Sequence, residues 1–324
     1  MFGVGHRASN PTFPTRRVSG HLLESNSPLT VAGPRRFFTD FPFPADLFCF
    51  QKQADPTWTE VDCQLGVQIA IRIDIVALSV ERMKTPLVMS WSGGKDSAMA
   101  LYEILRAGEF EVVALLTSVS EEYKRVSHHG VRETLLEAQA AAIGIPLEKV
   151  YLPSNNSHPC TDAVYEEIMG RVLASYYARD VKTVGFGDLF LEDLRAWREK
   201  NLAKMEMNGV FPLWKRDTAK LAEEIITLGF KAYLSCVEGK VGPGFVGRAF
   251  DRSLLDDLPD GIDPCGEFGE FHSYVYAGPI FRHPVSVKVG QTVIRDGRYY
   301  ADLLGEADEL EANHGLESAV PPVV

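Results

Sequence analysis

The segment that decides the fold covers residues 87–102 and has the sequence LVMSWSGGKDSAMALY. A short apolar run is followed by two glycines and then by strong helix formers, an order that predicts a buried strand, a tight turn and the start of a helix. Glycines let the main chain approach a ligand closely, and the amides and dipole of a first helical turn favour an anion. Ser92 and Ser97 add hydroxyl donors and Lys95 adds a positive charge. The segment is therefore suited to binding phosphate.

This segment lacks two common nucleotide-binding patterns, the GxxxxGK[ST] of a Walker A loop and the GxGxxG of a dinucleotide fingerprint. A surface turn would explain two glycines alone. The complete SGGKDS, placed between a strand and a helix, resembles the PP-loop ATP pyrophosphatases. That resemblance implies a loop that holds the β- and γ-phosphates of ATP, which leave as pyrophosphate while AMP passes to the substrate. The implied ATP-binding residues of the loop are Ser92, Gly93, Gly94, Lys95, Asp96 and Ser97, with Asp96 also a candidate ligand of Mg²⁺.

Strands and helices alternate in the residues that follow the loop. Buried strands are predicted at 111–118, 149–152 and 181–186, and helices at 131–143 and 162–178. The alternation predicts an α/β fold with a mostly parallel, Rossmann-like sheet covered on both faces, and the PP-loop resemblance implies its HUP type. Ligands of such sheets bind at the carboxyl ends of the strands. The additional ATP-binding candidates at this edge are Thr117, Ser118, Gly187 and Asp188. Strand-end hydroxyls are equally common in ordinary turns.

The second half of the chain narrows the class of PP-loop protein. Its distinctive segments are PLW at 212–214, VGR at 246–248, GEFGEFHS at 266–273 and AGPIF at 277–281. Together with the loop, they resemble the diphthine–ammonia ligase family over residues 84–285. The resemblance implies that ATP adenylates the carboxylate of a modified histidine on translation elongation factor 2, and that ammonia then displaces AMP to form an amide. It also implies a smaller C-terminal α+β substrate domain.

The candidates for catalysis are Lys95, Asp96, Glu267, Glu270 and His272. Lys95 and Mg²⁺ would neutralise phosphate charge that the glycine-rich loop positions. Acids attract ammonium and a histidine can take its proton near neutral pH, which suits the other candidates. A hydrogen-bonded turn or β-bulge is the alternative for Glu267, Glu270 and His272. Free ammonia is the expected nitrogen donor, because no cysteine follows the possible initiators Met1 and Met83 or lies in a Gly-x-Cys-x-Gly elbow.

Residues 187–199 depart from the family pattern. The family has Gly-Ala-Ile-x-Ser-x-Tyr-Gln-x-x-Arg where this chain has GDLFLEDLRAWRE. An acidic helix that carries arginines replaces the Tyr-Gln pair. We therefore expect a carboxylate acceptor, on a protein side chain or a small molecule, and leave open whether it is diphthine.

The chain divides into four predicted regions. Residues 1–82 contain seven of the 19 prolines and, at 65–75, an alternating apolar pattern. We expect this region to be disordered or to be translated upstream sequence before a start at Met83, with a transit peptide or a small accessory domain as alternatives. The remaining predicted regions are a PP-loop ATP-binding domain at 83–190, a substrate domain at 191–300 and a flexible tail at 301–324.

Composition limits the class of protein further. The net charge of -11 argues against an extensive nucleic-acid surface, and no apolar run is long enough to predict a membrane span. Five cysteines without paired spacing predict reduced thiols and a cytoplasmic protein. A homo-oligomer is compatible with the sequence.

Two alternatives to a ligase remain: a tRNA-modifying PP-loop enzyme, which predicts a basic surface, and a non-catalytic adenine-nucleotide-binding regulator, which would release no pyrophosphate.

Overall fold

A computed structural model describes residues 84–126, 129–153, 160–306 and Asp308. The predictions for residues 1–83, including the alternating pattern and the start at Met83, lie outside the described residues. Most of the predicted flexible tail, residues 301–324, lies outside them as well. The described helices and strands all belong to one compact unit of the chain.

The N-terminal part of the described chain contains a five-stranded parallel sheet in the order β3-β2-β1-β4-β5. The strands are β1 (Thr85–Ser90), β2 (Phe110–Ser120), β3 (Leu147–Leu152), β4 (Thr183–Gly185) and β5 (Asn208–Val210). The helices are α1 (Lys95–Ala107), α2 (Glu133–Ile143), α3 (Asp162–Tyr177) and α4 (Glu192–Ala203). The parallel order with alternating helices confirms the predicted α/β, Rossmann-like class.

The central strand β1 is buried on both faces. Successive side chains of a strand point to opposite faces of a sheet, so Leu87 and Met89 join the apolar cluster that contains α1, whereas Val88 joins the cluster that contains α3. All three side chains are fully buried, and each contributes about 1.5–3 kcal/mol to stability. A strand covered on both faces needs apolar residues at consecutive positions, which explains the run that precedes the loop.

The C-terminal part contains a four-stranded antiparallel sheet in the order β7-β6-β9-β8. Its strands are β6 (Lys231–Glu238), β7 (Phe271–Ala277), β8 (Val287–Arg295) and β9 (Arg298–Gly305). The accompanying helices are α5 (Thr218–Thr227), α6 (Arg252–Asp257) and a 3-10 turn, Pro243–Phe245. The predicted smaller α+β part is thereby confirmed.

The two sheets share buried side chains. Met99 of α1, Leu221 of α5 and Leu234 of β6 belong to one apolar cluster. On the other side of the smaller sheet, the hydroxyl of Tyr274 in β7 donates to the carbonyl of Leu135 in α2 at 3.0 Å. These contacts bring β7 against the helices that follow β1 and β2.

The strands extend beyond two of the predicted region limits. The parallel sheet takes β5 from residues 208–210, although the ATP-binding domain was predicted to end at residue 190. Residues 301–305 lie in β9, where Ala301 and Leu303 are buried, and so belong to the sheet. The domain limits themselves stay a prediction.

The described helices and cysteines bear on membrane association and on thiol chemistry. None of its helices has the length and apolar character that crossing a membrane requires. Cys160, Cys236 and Cys265 are free thiols. Burial raises the pKa of Cys236 to about 11, so this thiol is protonated at neutral pH and suited to packing.

Candidate active site

The loop between β1 and α1 is closed by its own hydroxyl groups. The amide of Gly94 donates to Ser92 Oγ at 3.2 Å, and Ser97 Oγ donates to the Gly94 carbonyl at 2.9 Å. The two serine oxygens are 3.2 Å apart. Both predicted serines therefore shape the turn at the N-terminus of α1.

Gly93 occupies a position that no other residue fits. Its φ is +77°, and a Cβ atom there would lie 2.6 Å from Leu136 Cδ2 and 2.8 Å from Gln139 Oε1. The carbonyl of Gly93 accepts from Gln139 Nε2 at 3.0 Å and from the amide of Val275 at 2.9 Å. Gly93 is thus held in place by hydrogen bonds from both α2 and β7.

The fully buried Gln139 was not predicted as a site residue. Its side-chain oxygen accepts from Trp91 Nε1 at 3.1 Å, while its nitrogen donates to the carbonyls of Gly93 and Val275. A buried amide has to find such partners, because an unpaired one costs free energy. The sequence signal that could have identified Gln139 is its position as a polar residue on the apolar face of the predicted helix 131–143.

Ser273 caps the first turn of α1 from a distant strand. The amide of Lys95 donates to Ser273 Oγ at 3.0 Å, although the two residues are 178 positions apart. Helix α1 has Gly94 as its N-cap residue and no side-chain cap of its own. The distinctive segment at 266–273 therefore completes the loop directly.

The side chain of Lys95 is buried and turned toward the C-terminal part. Its ammonium donates to Asp96 Oδ2 at 2.8 Å and to the carbonyl of Cys265, and it lies 5.3 Å from the centroid of the Phe271 ring. Burial lowers the pKa of Lys95, but the charge and hydrogen bond of Asp96 together with neighbouring groups outweigh burial, so the pKa lies above its ordinary value. Lys95 is therefore a cation that Asp96 already pairs.

Glu267, the first of the three acid–base candidates in the C-terminal part, contacts the loop after β4. Glu267 accepts from the amides of Leu189 and Phe190 at 2.9 and 3.2 Å, which fixes the loop after β4. Burial raises the pKa of Glu267, although those amides oppose the change. The structure thus gives Glu267 a positioning contact, and its catalytic role stays a prediction.

Glu270 and His272 face different neighbours. Glu270 is buried, with its Oε1 3.5 Å from the amide of Asp263 and 3.9 Å from Lys240 Nζ. The ring of His272 lies against that of His129, with centroids 4.5 Å apart. Their catalytic roles stay predictions too.

The strand-end candidates lie near the loop but differ in their availability. Thr117 is buried and, within the part of the chain that the structure describes, its hydroxyl has no hydrogen-bond partner; Ser118 is half-buried. A Cβ at Gly187 would lie 2.8 Å from the backbone carbon of Asp96, so this glycine lets β4 approach α1. Asp188 forms an ion pair with Arg198 of α4 at 2.7 Å. Its ATP-binding role stays a prediction.

A metal ion would find few protein ligands at this loop. Across the described ranges, no group of three or more His, Cys, Asp or Glu side chains could hold one. Asp96 offers carboxylate oxygens, the ligands that Mg²⁺ prefers, next to the predicted phosphate-binding turn. A Mg²⁺ ion with one carboxylate, phosphate oxygens and water fits these residues.

A Rossmann-like sheet with SGGKDS between its central strand and the following helix defines the PP-loop class of nucleotide-binding proteins. Two family models match this chain: the diphthamide synthase N-terminal domain over residues 83–208 and the diphthamide synthase C-terminal domain over residues 217–303. The chain belongs to the diphthamide synthase family, which confirms the resemblance found in the sequence.

Curated relatives agree with this assignment. The diphthine–ammonia ligase of Danio rerio is 25% identical over 230 residues, which cover 65% of this chain and 89% of that protein. The Homo sapiens diphthine–ammonia ligase is 24% identical over 237 residues, 65% of this chain and 85% of its own length. The diphthine–ammonia ligase of Schizosaccharomyces pombe is 24% identical over 212 residues, 59% of this chain and 34% of that protein.

Proposed function

We propose that this protein is an ATP-dependent amide ligase of the diphthine–ammonia ligase type, which adenylates a carboxylate and transfers the acyl group to ammonia. The observation that carries the proposal is the SGGKDS loop, clamped by Gln139 and Ser273, in a chain that matches both diphthamide synthase domains. ATP would supply an AMP leaving group for an otherwise unreactive carboxylate, with release of pyrophosphate.

The residues of the loop suit a polyphosphate. Gly93 and Gly94 leave no room for side chains, and the closed turn presents the start of α1, whose dipole attracts anions. The buried hydroxyl of Thr117, which has no hydrogen-bond partner among the described residues, offers a donor and acceptor for the nucleoside end. We assign the adenosine side to Thr117, Ser118, Gly187 and Asp188, and Mg²⁺ to Asp96.

The buried Lys95 and the half-buried Glu267 organise the side of the loop at which we expect the acceptor carboxylate and ammonia to meet. Lys95 binds the carbonyl of Cys265, and Glu267, two residues later, binds the loop after β4. Asp96 is paired with Lys95, so the carboxylate of Glu267 is the group at this turn that we assign to attract an incoming ammonium ion. When ammonia attacks the acyl carbon, its nitrogen loses a proton, and we assign Glu267, Glu270 or His272 as the acceptor.

Helix α4 bears on the choice of acceptor. This helix replaces the segment that carries the Tyr-Gln pair in the family pattern. The guanidinium carbon of Arg195 lies 4.5 Å from the ring centroid of Phe211 and 4.6 Å from that of Trp214, and Arg198 pairs with Asp188. We propose a carboxylate on a modified protein side chain as the acceptor, with diphthine as the first one to test. The reduced thiols of the described part agree with action in the cytoplasm.

The test supplies the full chain with ATP, Mg²⁺, ammonium and a carboxylate acceptor, and identifies the amide by mass spectrometry. Diphthine-bearing protein and small carboxylates are compared as acceptors, and glutamine is compared with ammonium. We expect an amide only with ammonium and ATP, and its loss in Lys95→Ala. The exposed Lys220→Ala variant is the matched control. Amide formation that survives Lys95→Ala, or none with any acceptor, would contradict the proposal.

A further inference from the structure

His129 lies directly over the phosphate-binding loop. A Cβ atom built on Gly94 would be 3.0 Å from His129 Cε1 and 3.2 Å from the Ser273 carbonyl oxygen. The φ of Gly94 is -87°, an angle that any residue adopts. Position 94 therefore requires glycine because the His129 ring and the Ser273 carbonyl leave too little space for a Cβ atom, and not because of its backbone angle.

The position of His129 is fixed by both parts of the molecule. The amide of Gly130 donates to the Val126 carbonyl at 3.0 Å, and a Cβ at Gly130 would lie 2.6 Å from Tyr300 Cδ1. The flanking residues Arg125 and Arg132 both bind Asp302 of β9, at 2.7 and 2.8 Å. These contacts anchor the segment on either side of the histidine to the antiparallel sheet.

Lys95 is already paired within the protein, so a polyphosphate in the loop would gain from a further donor beside the proposed Mg²⁺. The ammonium of Lys95 is buried and bound to Asp96 and to the Cys265 carbonyl. A polyphosphate in the loop carries several negative charges, and imidazole groups are suitable charge-assisted donors. Two imidazoles, His129 and His272, lie beside this loop with their ring centroids 4.5 Å apart and their planes tilted by 38°.

The two ring nitrogens of His129 have different surroundings. Nδ1 is 3.3 Å from the Ser273 carbonyl oxygen, which can only accept, so the tautomer consistent with this contact has hydrogen on Nδ1. Nε2 is bonded to Cε1, the atom nearest the Gly94 position. If Nε2 also carries hydrogen, the ring would donate to Ser273 through Nδ1 and to a phosphate oxygen in the loop through Nε2.

We infer that His129 is a binding residue for the pyrophosphate portion of ATP, held over Gly94 and backed by His272. The inference rests on the proposed function, because it assigns the phosphates to the same loop. The recognised chemistry is an inorganic or nucleotide polyphosphate. His129 adds from above the loop a contact that the SGGKDS motif does not contain.

Calorimetric binding of inorganic pyrophosphate, with Mg²⁺ and the full chain, tests this inference. Loss of one charge-assisted contact predicts a Kd about tenfold higher or more for His129→Ala. Glutamine and asparagine separate the two roles of the ring, because a glutamine amide reaches about as far as Nε2 and an asparagine amide about as far as Nδ1. We expect His129→Gln to recover part of the affinity and His129→Asn to recover none.

The exposed His283→Asn is the matched control and should bind like the wild type, and thermal unfolding verifies that each variant is folded. An unchanged Kd in His129→Ala would overturn the inference. Rescue by asparagine instead of glutamine would also overturn it, since only the contact with Ser273 would then matter. If the wild-type chain binds neither pyrophosphate nor ATP, both the proposed function and the inference about His129 are contradicted. If the wild type and His129→Ala bind pyrophosphate equally well, only the inference about His129 is contradicted.

Discussion

Helices α1 and α5 begin in opposite ways. The first turn of α5 is capped by the residue before it, as Asp217 accepts from the amide of Lys220 at 2.9 Å. The first turn of α1 follows a glycine and depends on Ser273, which belongs to another sheet. A neighbouring residue caps α5, whereas a residue of the distant strand β7 caps α1.

This difference suits the N-terminus of α1, rather than that of α5, to the predicted phosphate site. An aspartate at the N-cap fills the position where an anion would bind. Two glycines remove that side chain from α1, and the loop then needs the support of Gln139 and Ser273 to keep its shape. Substitutions at the two helix ends should therefore separate stability from phosphate binding.

The largest effect is expected for Gly93→Ala. Positive φ and the contact with Leu136 together predict a loss of about 3 kcal/mol in the free energy of unfolding, and loss of nucleotide binding. Gly108→Ala, at the other end of α1, has φ +69° but nothing within 4 Å of the added atom, so it should cost only about 1 kcal/mol. Urea unfolding of both variants compares them. Equal losses would show that packing around Gly93 does not matter.

The next effect is expected for Gln139→Leu, which removes the buried amide without removing the bulk of the side chain. Trp91 and the loop carbonyl lose partners, so the free energy of unfolding should fall by about 2 kcal/mol and ATP binding should weaken. The exposed Gln291→Leu serves as the control in the same denaturation and titration series. A Gln139→Leu protein that keeps wild-type ATP affinity would disprove the clamp.

Ser273→Ala and Asp217→Ala compare the two helix ends directly. Each removes one cap and should cost about 1 kcal/mol in stability. Only Ser273→Ala should also raise the Kd for pyrophosphate, because only α1 lies at the predicted phosphate site. The comparison breaks down if Asp217→Ala weakens pyrophosphate binding to the same extent.

The smallest effect concerns the salt bridges of Asp302. Burial alone would raise its pKa, but hydrogen bonds from Arg132 and Arg125 outweigh it and hold the pKa below its ordinary value. A carboxylate with a depressed folded-state pKa contributes stability above its unfolded pKa, and this contribution disappears as the pH falls through the folded pKa. Asp302→Asn should therefore cost about 1 kcal/mol at neutral pH and progressively less below about pH 4.

Thermal unfolding between neutral and acidic pH measures this dependence, with the exposed Asp260→Asn as the control. A wild-type advantage over Asp302→Asn that stays constant down to the lowest pH would show that the charge of Asp302 is not responsible.

The sequence was sufficient for the parts of the molecule that depend on neighbouring residues. The apolar run, the two glycines and the helix formers of residues 87–102 predicted β1, the loop and α1, because each signal is local. The GEFGEFHS segment identified the family. Strand β5 was missed, since its three residues carry no periodicity.

The supporting contacts of the site could not be predicted from the sequence. Gln139, Ser273 and His129 reach the loop only through the packing of α2, β7 and the segment beside β9. The pairing of Asp188 with Arg198 likewise depends on how α4 returns to the sheet. Such long-range contacts follow from tertiary packing, which one sequence does not reveal.

The central claim is that this loop directs cleavage between the α- and β-phosphates of ATP. The direct measurement is the identity of the products from ATP, separated by chromatography, with the full chain, acceptor and ammonium present. The account predicts AMP and pyrophosphate in equal amounts, reduced at least about tenfold in Ser92→Ala and Gly94→Ala. ADP and phosphate as the products, or AMP formation that both substitutions leave unchanged, would contradict it.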